Sequence, residues 1–111
     1  MSENPERAAK IAELNDQCRR GRNGLITLSE AVSTLKPADQ AAIYRLVRDF
    51  NTFTPDNNPY GERDYGSFEY QGELMCWKIE YYAPDLHYGS EDPSDPAQTQ
   101  RVLFIMYMVE R

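Results

Sequence analysis

Apolar residues recur along this chain at two spacings, and the change of period divides it. In the first half the spacing is helical. Ala8, Ile11, Leu14 and Cys18 follow one another at three and four residues, which predicts a helix with one narrow apolar stripe. Asn4 is placed to cap it, Pro5 suits its first position and Glu6 its first turn. Arg19 and Arg20 close it, and Gly21 supplies the stop. With the rest of its surface polar, this helix is expected on the outside of the core. The segment GLITLS (24–29) is short, β-branched and bounded by Gly and Ser, so it predicts a strand. A helical turn capped by Ser29 fits SEAVSTLK. A second full helix begins at Pro37, supported by Asp39, with Ile43, Leu46, Val47 and Phe50 as its buried face and Arg45 and Arg48 pointing elsewhere.

Beyond Phe50 the period changes. Pro55, Pro59, Gly61 and Gly66 break any regular element, and then strict alternation sets in over SFEYQGELMCWKIEYY. Two strands joined by a tight turn at Gln71-Gly72 are predicted. A two-residue turn pairs Tyr70 with Glu73, Phe68 with Met75 and Gly66 with Trp77. Phe68, Met75, Trp77, Ile79 and Tyr81 then share the core face, with Ser67, Glu69, Cys76, Lys78 and Glu80 on the other. A second loop, APDLHYGSEDPSDPAQ, follows. For the C-terminal segment two readings compete. Asp95-Pro96-Ala97-Gln98 has the chemistry of a helix start, whereas residues 102–109 form a short, wholly apolar run that suits a central strand covered on both faces. The strand is favoured. The expected fold is α+β: one domain spanning residues 1–111, with two helices packed on an antiparallel sheet of three to four strands.

Composition narrows the function. No run approaches the ~18 apolar residues of a membrane span, and no secretory signal is visible, so a soluble, cytoplasmic protein without membrane partners is expected. The net charge of −6 is unevenly placed. Residues 1–50 carry eight Lys and Arg against seven Asp and Glu, whereas residues 51–111 carry four against eleven. Ten acids and only Arg63 and Lys78 lie between positions 56 and 95, a window that repels nucleic acid. Direct nucleic-acid binding is therefore not expected. The cluster Arg19, Arg20 and Arg22 reads as a favourable partner for a helix C-terminus. Cys18 and Cys76 belong to no CxxC or Cys/His cluster and read as unpaired, buried or half-buried thiols.

Candidate catalytic chemistry is sparse. Asp56, Asn58 and Gly61 match positions 1, 3 and 6 of a calcium loop, but position 12 is Ser67, where a bidentate Glu is required. Turn formation by Asp and Asn accounts for the same residues. His87 is the sole histidine and has no zinc-ligand pattern around it; Asp85 or Asp92 are the carboxylates available to it as a base. Glu69 and Glu80 are the carboxylates that could pair on one sheet face, where solubility is their simpler role. No nucleophile elbow, phosphate loop or dinucleotide fingerprint occurs, and no metal or cofactor is expected. What stands out is the interleaving of acids with tyrosines: seven of the eight Tyr lie between positions 60 and 107. Tyr offers a large, stiff contact area with a polar tip, and dispersed carboxylates suit a basic partner surface. The candidate partner-binding residues are Asp56, Tyr60, Glu62, Asp64, Tyr65, Glu69, Tyr88, Glu91, Asp92 and Asp95.

Four stretches, LNDQCR, FTPDNNPYGERDYGSFE, WKIEYYAPDL and YGSEDPSDPAQTQRVLFIM, carry a resemblance. From about residue 8 to residue 110 the chain resembles a bacterial family of small domains of unknown function common on plasmids and other mobile elements. Its members read nearer to DNDPYGEHDFG, so Asn58, Arg63 and Tyr65 depart from the pattern, and any role of a histidine at position 63 is lost here. The resemblance transfers no activity. It implies a context in which small acidic proteins blunt host defence. The expected function is therefore a non-enzymatic acidic interaction protein, an inhibitor of a CRISPR or restriction system that binds a basic nucleic-acid-binding surface on a protein partner. The alternative is a small hydrolase or ligand-binding domain using the loops at 56–66 and 85–95.

Overall fold

A computed structural model describes residues 4–111. Helix α1 spans Pro5–Arg19, with the Asn4 side chain accepting from the Arg7 backbone as its cap. Strand β1 (Leu25–Leu28) leads into the short helix α2 (Glu30–Ser33), capped by the Ser29 side chain at the Val32 N–H. Helix α3 is Pro37–Arg48. Strands β2 (Tyr65–Tyr70), β3 (Glu73–Tyr82) and β4 (Gln100–Tyr107) follow, with 3-10 turns at Pro96–Gln98 and Met108–Glu110. No helix among the described residues is long and apolar enough to cross a membrane.

The sheet order is β1-β4-β3-β2. The β2–β3 hairpin has the register expected from alternation, with Tyr70 opposite Glu73, Phe68 opposite Met75 and Gly66 opposite Trp77. Its turn holds Gln71 at φ 50° and Gly72 at φ 83°, the double left-handed geometry that matches the twist of the flanking strands. The sheet is not purely antiparallel, however. β4 inserts between β3 and β1 and runs parallel to β1, so the fold is α+β with a mixed sheet. Burial drives this insertion, because the most apolar segment takes a central place with a hydrogen-bonded neighbour on each side. The helix start at Asp95 is also realised, but only as the turn Pro96–Gln98 before β4 begins. Val109 falls outside the strand and is exposed.

Cys18, Val32, Ile43 and Val47 from the three helices pack on Met75, Trp77, Ile79, Leu103 and Ile105 of the sheet. Each such side chain contributes about 1.5–3 kcal/mol of transfer free energy. Leu46, expected in the buried face of α3, is exposed, because Ile43 and Val47 one turn apart already fill the contact. Phe50 lies just past α3 and packs edge-on against Trp77 with centroids 5.6 Å apart. A Cβ on Gly66 would sit 2.5 Å from Trp77 Nε1 and 2.7 Å from the Phe50 ring, so only glycine fits beneath this pair.

Arg19 departs from the sequence expectation. It does not join Arg20 on the surface but is buried. Its guanidinium donates to the carbonyls of Val47, Arg48 and Phe50, lies 4.9 Å from the Trp77 ring, and pairs with Asp16 at 2.9 Å. It thus caps the C-terminus of α3, supplying donors to the carbonyls of its last turn and of Phe50 just beyond, although Val47 O also accepts the Phe50 N–H at 3.3 Å.

Candidate partner-binding surface

The two acidic loops are built by their own side chains. In the first, the Thr54 backbone N–H donates to Asn57 Oδ1 at 2.8 Å, the Asn57 N–H returns to Thr54 Oγ1, and Asn57 Nδ2 donates to the Thr52 carbonyl. Asn58 Oδ1 then accepts the N–H of Arg63, a residue held at φ 52°. Of the residues that matched a calcium loop, Asn58 and Gly61 are thus spent on turns, whereas Asp56 stays exposed. In the second loop, Asp92 Oδ1 accepts from the backbone and hydroxyl of Ser94, while Asp95 caps the 3-10 turn through the Ala97 N–H. Thr99 Oγ1 donates to the Asp92 carbonyl at 2.8 Å, closing the loop base.

Helix α1 brings both loops to one side of the molecule. Asn15, fully buried, donates from Nδ2 to the Glu62 carbonyl (3.0 Å) and the Tyr81 hydroxyl (2.8 Å). Tyr81 in turn donates to Glu62 Oε1 at 2.8 Å. Asn15 Oδ1 accepts from Arg101 Nε at 2.7 Å, and Arg101 reaches the Pro93 carbonyl of the second loop. The Arg101 guanidinium lies 5.2 Å from the Tyr81 ring. One buried chain of polar groups therefore runs from Glu62 through Tyr81, Asn15 and Arg101 to Pro93. Two ion pairs flank it, Arg63 with Asp16 at 2.6 Å and Arg7 with Asp92 at 3.2 Å.

The electrostatics follow from this packing. Burial alone would raise the Asp16 carboxyl, but hydrogen bonds and charge from Arg63 and Arg19 outweigh it and hold the group below its ordinary value. The Ser94 hydroxyl and N–H, helped by Arg7, do the same for Asp92. Asp64 moves the other way, raised by burial and by the neighbouring Glu62 and Glu80. Burial pushes the Tyr81 hydroxyl well above its ordinary range and lowers Arg101.

The ten expected residues divide into two groups. Glu62, Asp64, Asp92 and Asp95 are half-buried, and all but Asp64 spend their side chains on internal bonds. Tyr65 lies on the sheet face away from the core, under the Arg111 guanidinium at 4.7 Å, and its hydroxyl reaches Met108 Sδ. Asp56, Tyr60, Glu69, Tyr88 and Glu91 are exposed, Tyr60 at 54% and Tyr88 at 75%. Tyr60 borders an open groove of about 620 Å³ between α1 and the first loop, lined also by Pro5, Ala8, Phe53 and Pro59. His87 is exposed, and Asp85 accepts from its backbone N–H rather than from its ring. Among the described residues no group of three or more His, Cys, Asp or Glu is placed to hold a metal ion. Both cysteines are free and buried, and burial raises the Cys18 thiol to about 11.

Residues 28–110 match the family described as a protein of unknown function, DUF3768. The chain belongs to this family. No curated protein and no solved structure matches it. The DUF3768 segment contains both loops and β2 to β4 but not α1, so the match is narrower than the resemblance read from residue 8 onward. Asn15 and Asp16, which bond the first loop of the DUF3768 segment, and Arg19, which caps its α3, thus lie before the matched segment. Sequence reading missed all three. For Asn15 and Arg19 the signal was present in the helical spacing, because Ile11, Asn15 and Arg19 stand four residues apart and extend the apolar stripe with polar groups.

Proposed function

We propose that the chain is a non-enzymatic interaction protein that uses its two α1-docked loops to bind a basic surface on a protein partner. One observation carries this reading: among the described residues Tyr60 and Tyr88 stand far into solvent with no side-chain hydrogen-bond partner, and the same two loops carry the exposed, unbonded carboxylates of Asp56 and Glu91. None of these four side chains makes a hydrogen bond or ion pair with another described residue. Exposed tyrosines supply anchoring area at low entropic cost, and free carboxylates steer association with lysine- and arginine-rich surfaces. The buried network keeps the loops ordered before binding, so little conformational freedom is lost on contact. The partner class that suits such a surface is a protein whose basic groove ordinarily holds nucleic acid. In that role the chain acts as a mobile-element inhibitor of a CRISPR or restriction complex.

The experiment is capture of the partner from the native host, followed by titration of the purified pair. Binding is expected to weaken steeply with added salt, and to fall about tenfold or more in the double variant Tyr60→Ala, Tyr88→Ala. Charge reversal at Asp56 and Glu91 leaves the internal network intact and is expected to slow association. Nucleic acid should compete for the partner. Affinity indifferent to salt and to both double variants would overturn the proposal.

A further inference from the structure

Strand β1, four residues long, is an edge of the sheet, and no charge, proline or bulge within it blunts that edge. Edge strands are ordinarily blunted by charge, proline or a bulge. β1 reads LITL and has none of these. Leu25 and Ile26 remain 48% and 43% exposed. The direction of its free hydrogen-bonding groups follows from one contact. The Ser29 N–H donates to the Ile105 carbonyl at 3.0 Å, so the odd-numbered residues of β1 address β4. Ile26 and Leu28 therefore direct their N–H and C=O groups away from the sheet.

We infer that β1 pairs antiparallel with β1 of a second copy, joining two four-stranded sheets into one of eight. The backbone permits antiparallel pairing with a second copy, and the flanking charges favour it over an unrelated strand. The outward groups of Ile26 and Leu28 are self-complementary, because Ile26 of one chain exchanges both backbone bonds with Leu28 of the other when Thr27 lies on the two-fold axis. The flanking charges are self-complementary too. Arg22 precedes the strand and Glu30 follows it, so antiparallel pairing sets each basic end near the acidic end of its mate, whereas parallel pairing sets like beside like. Leu25 and Ile26 then leave solvent. The strand is short, so the interface belongs to the weak class, with a dissociation constant on the order of micromolar or above.

Light scattering and sedimentation over roughly 1–200 µM test this in the range that weak interfaces require. A dimer is expected to form with concentration, and Ile26→Lys should weaken it by about tenfold or more without changing Trp77 fluorescence. Independently, Thr27→Cys should form a covalent dimer on mild oxidation, since residues opposite one another at a non-hydrogen-bonded pair have Cβ atoms about 4.5–5.5 Å apart. Leu25→Cys, far from its own copy in this register, should not. A chain that stays monomeric throughout overturns the inference. So does a dimer indifferent to Ile26→Lys, or equal cross-linking at positions 25 and 27.

Discussion

Replacing Asn15 with Leu removes the central member of the buried polar chain while keeping the same number and branching of side-chain heavy atoms. Three bonds go: two donated to Glu62 and Tyr81, and one accepted from Arg101. The two neutral bonds are worth about 1 kcal/mol each. The bond from the buried guanidinium is worth about 1.5–3 kcal/mol, because its loss leaves a charged donor without an acceptor. Burying the leucine side chain returns about 1.5–2 kcal/mol. The net loss is therefore about 2–3 kcal/mol, and Asn15→Ala, without the apolar gain, should lose about 4 kcal/mol. Trp77 is the only tryptophan and lies fully buried, so its fluorescence reports urea unfolding directly. The midpoint for Asn15→Leu should fall by about 1–2 M. Hydrogen exchange gives the local counterpart, with protection lost first around residues 58–64 and 90–95. A stability change under about 0.5 kcal/mol would refute the claim that Asn15 holds the two loops.

Three further outcomes follow from single sites. Gln71→Asn places the preferred residue at a left-handed turn position and should stabilise the hairpin by about 0.5–1 kcal/mol, read as a higher urea midpoint. Asp16 has its carboxyl depressed in the native state, so its contribution is complete above the unfolded value near 4 and fades as pH falls below it. Asp16→Asn should thus be less stable than the parent at pH 7, and the difference should shrink near pH 3; an equal gap at both pH values contradicts the ion-pair account. Neither thiol should react with a disulfide reagent in the native protein, and both should react once it is unfolded.

Local periodicity was enough for the elements and for the hairpin. Alternation over residues 67–82 specifies which side chains face the core, and a two-residue turn leaves one register that satisfies it. The caps at Asn4, Ser29 and Asp95 were equally legible, since each depends on neighbours within three residues. Candidate surface residues were readable as types, but their roles were not. Asp92 and Glu62 look the same in sequence as Glu91 and Asp56, yet the first two are bonded within the fold and only the last two are free.

The chain alone determined its strands, its helices and the acidic, tyrosine-rich character of its second half, because these depend on spacing and composition. Tertiary structure decided the rest. It ran β4 parallel to β1, turned Arg19 inward, and joined two loops thirty residues apart through Asn15 and Arg101. Those outcomes come from burial, which drives most polar groups taken from water to find partners, and such partners lie far away in sequence.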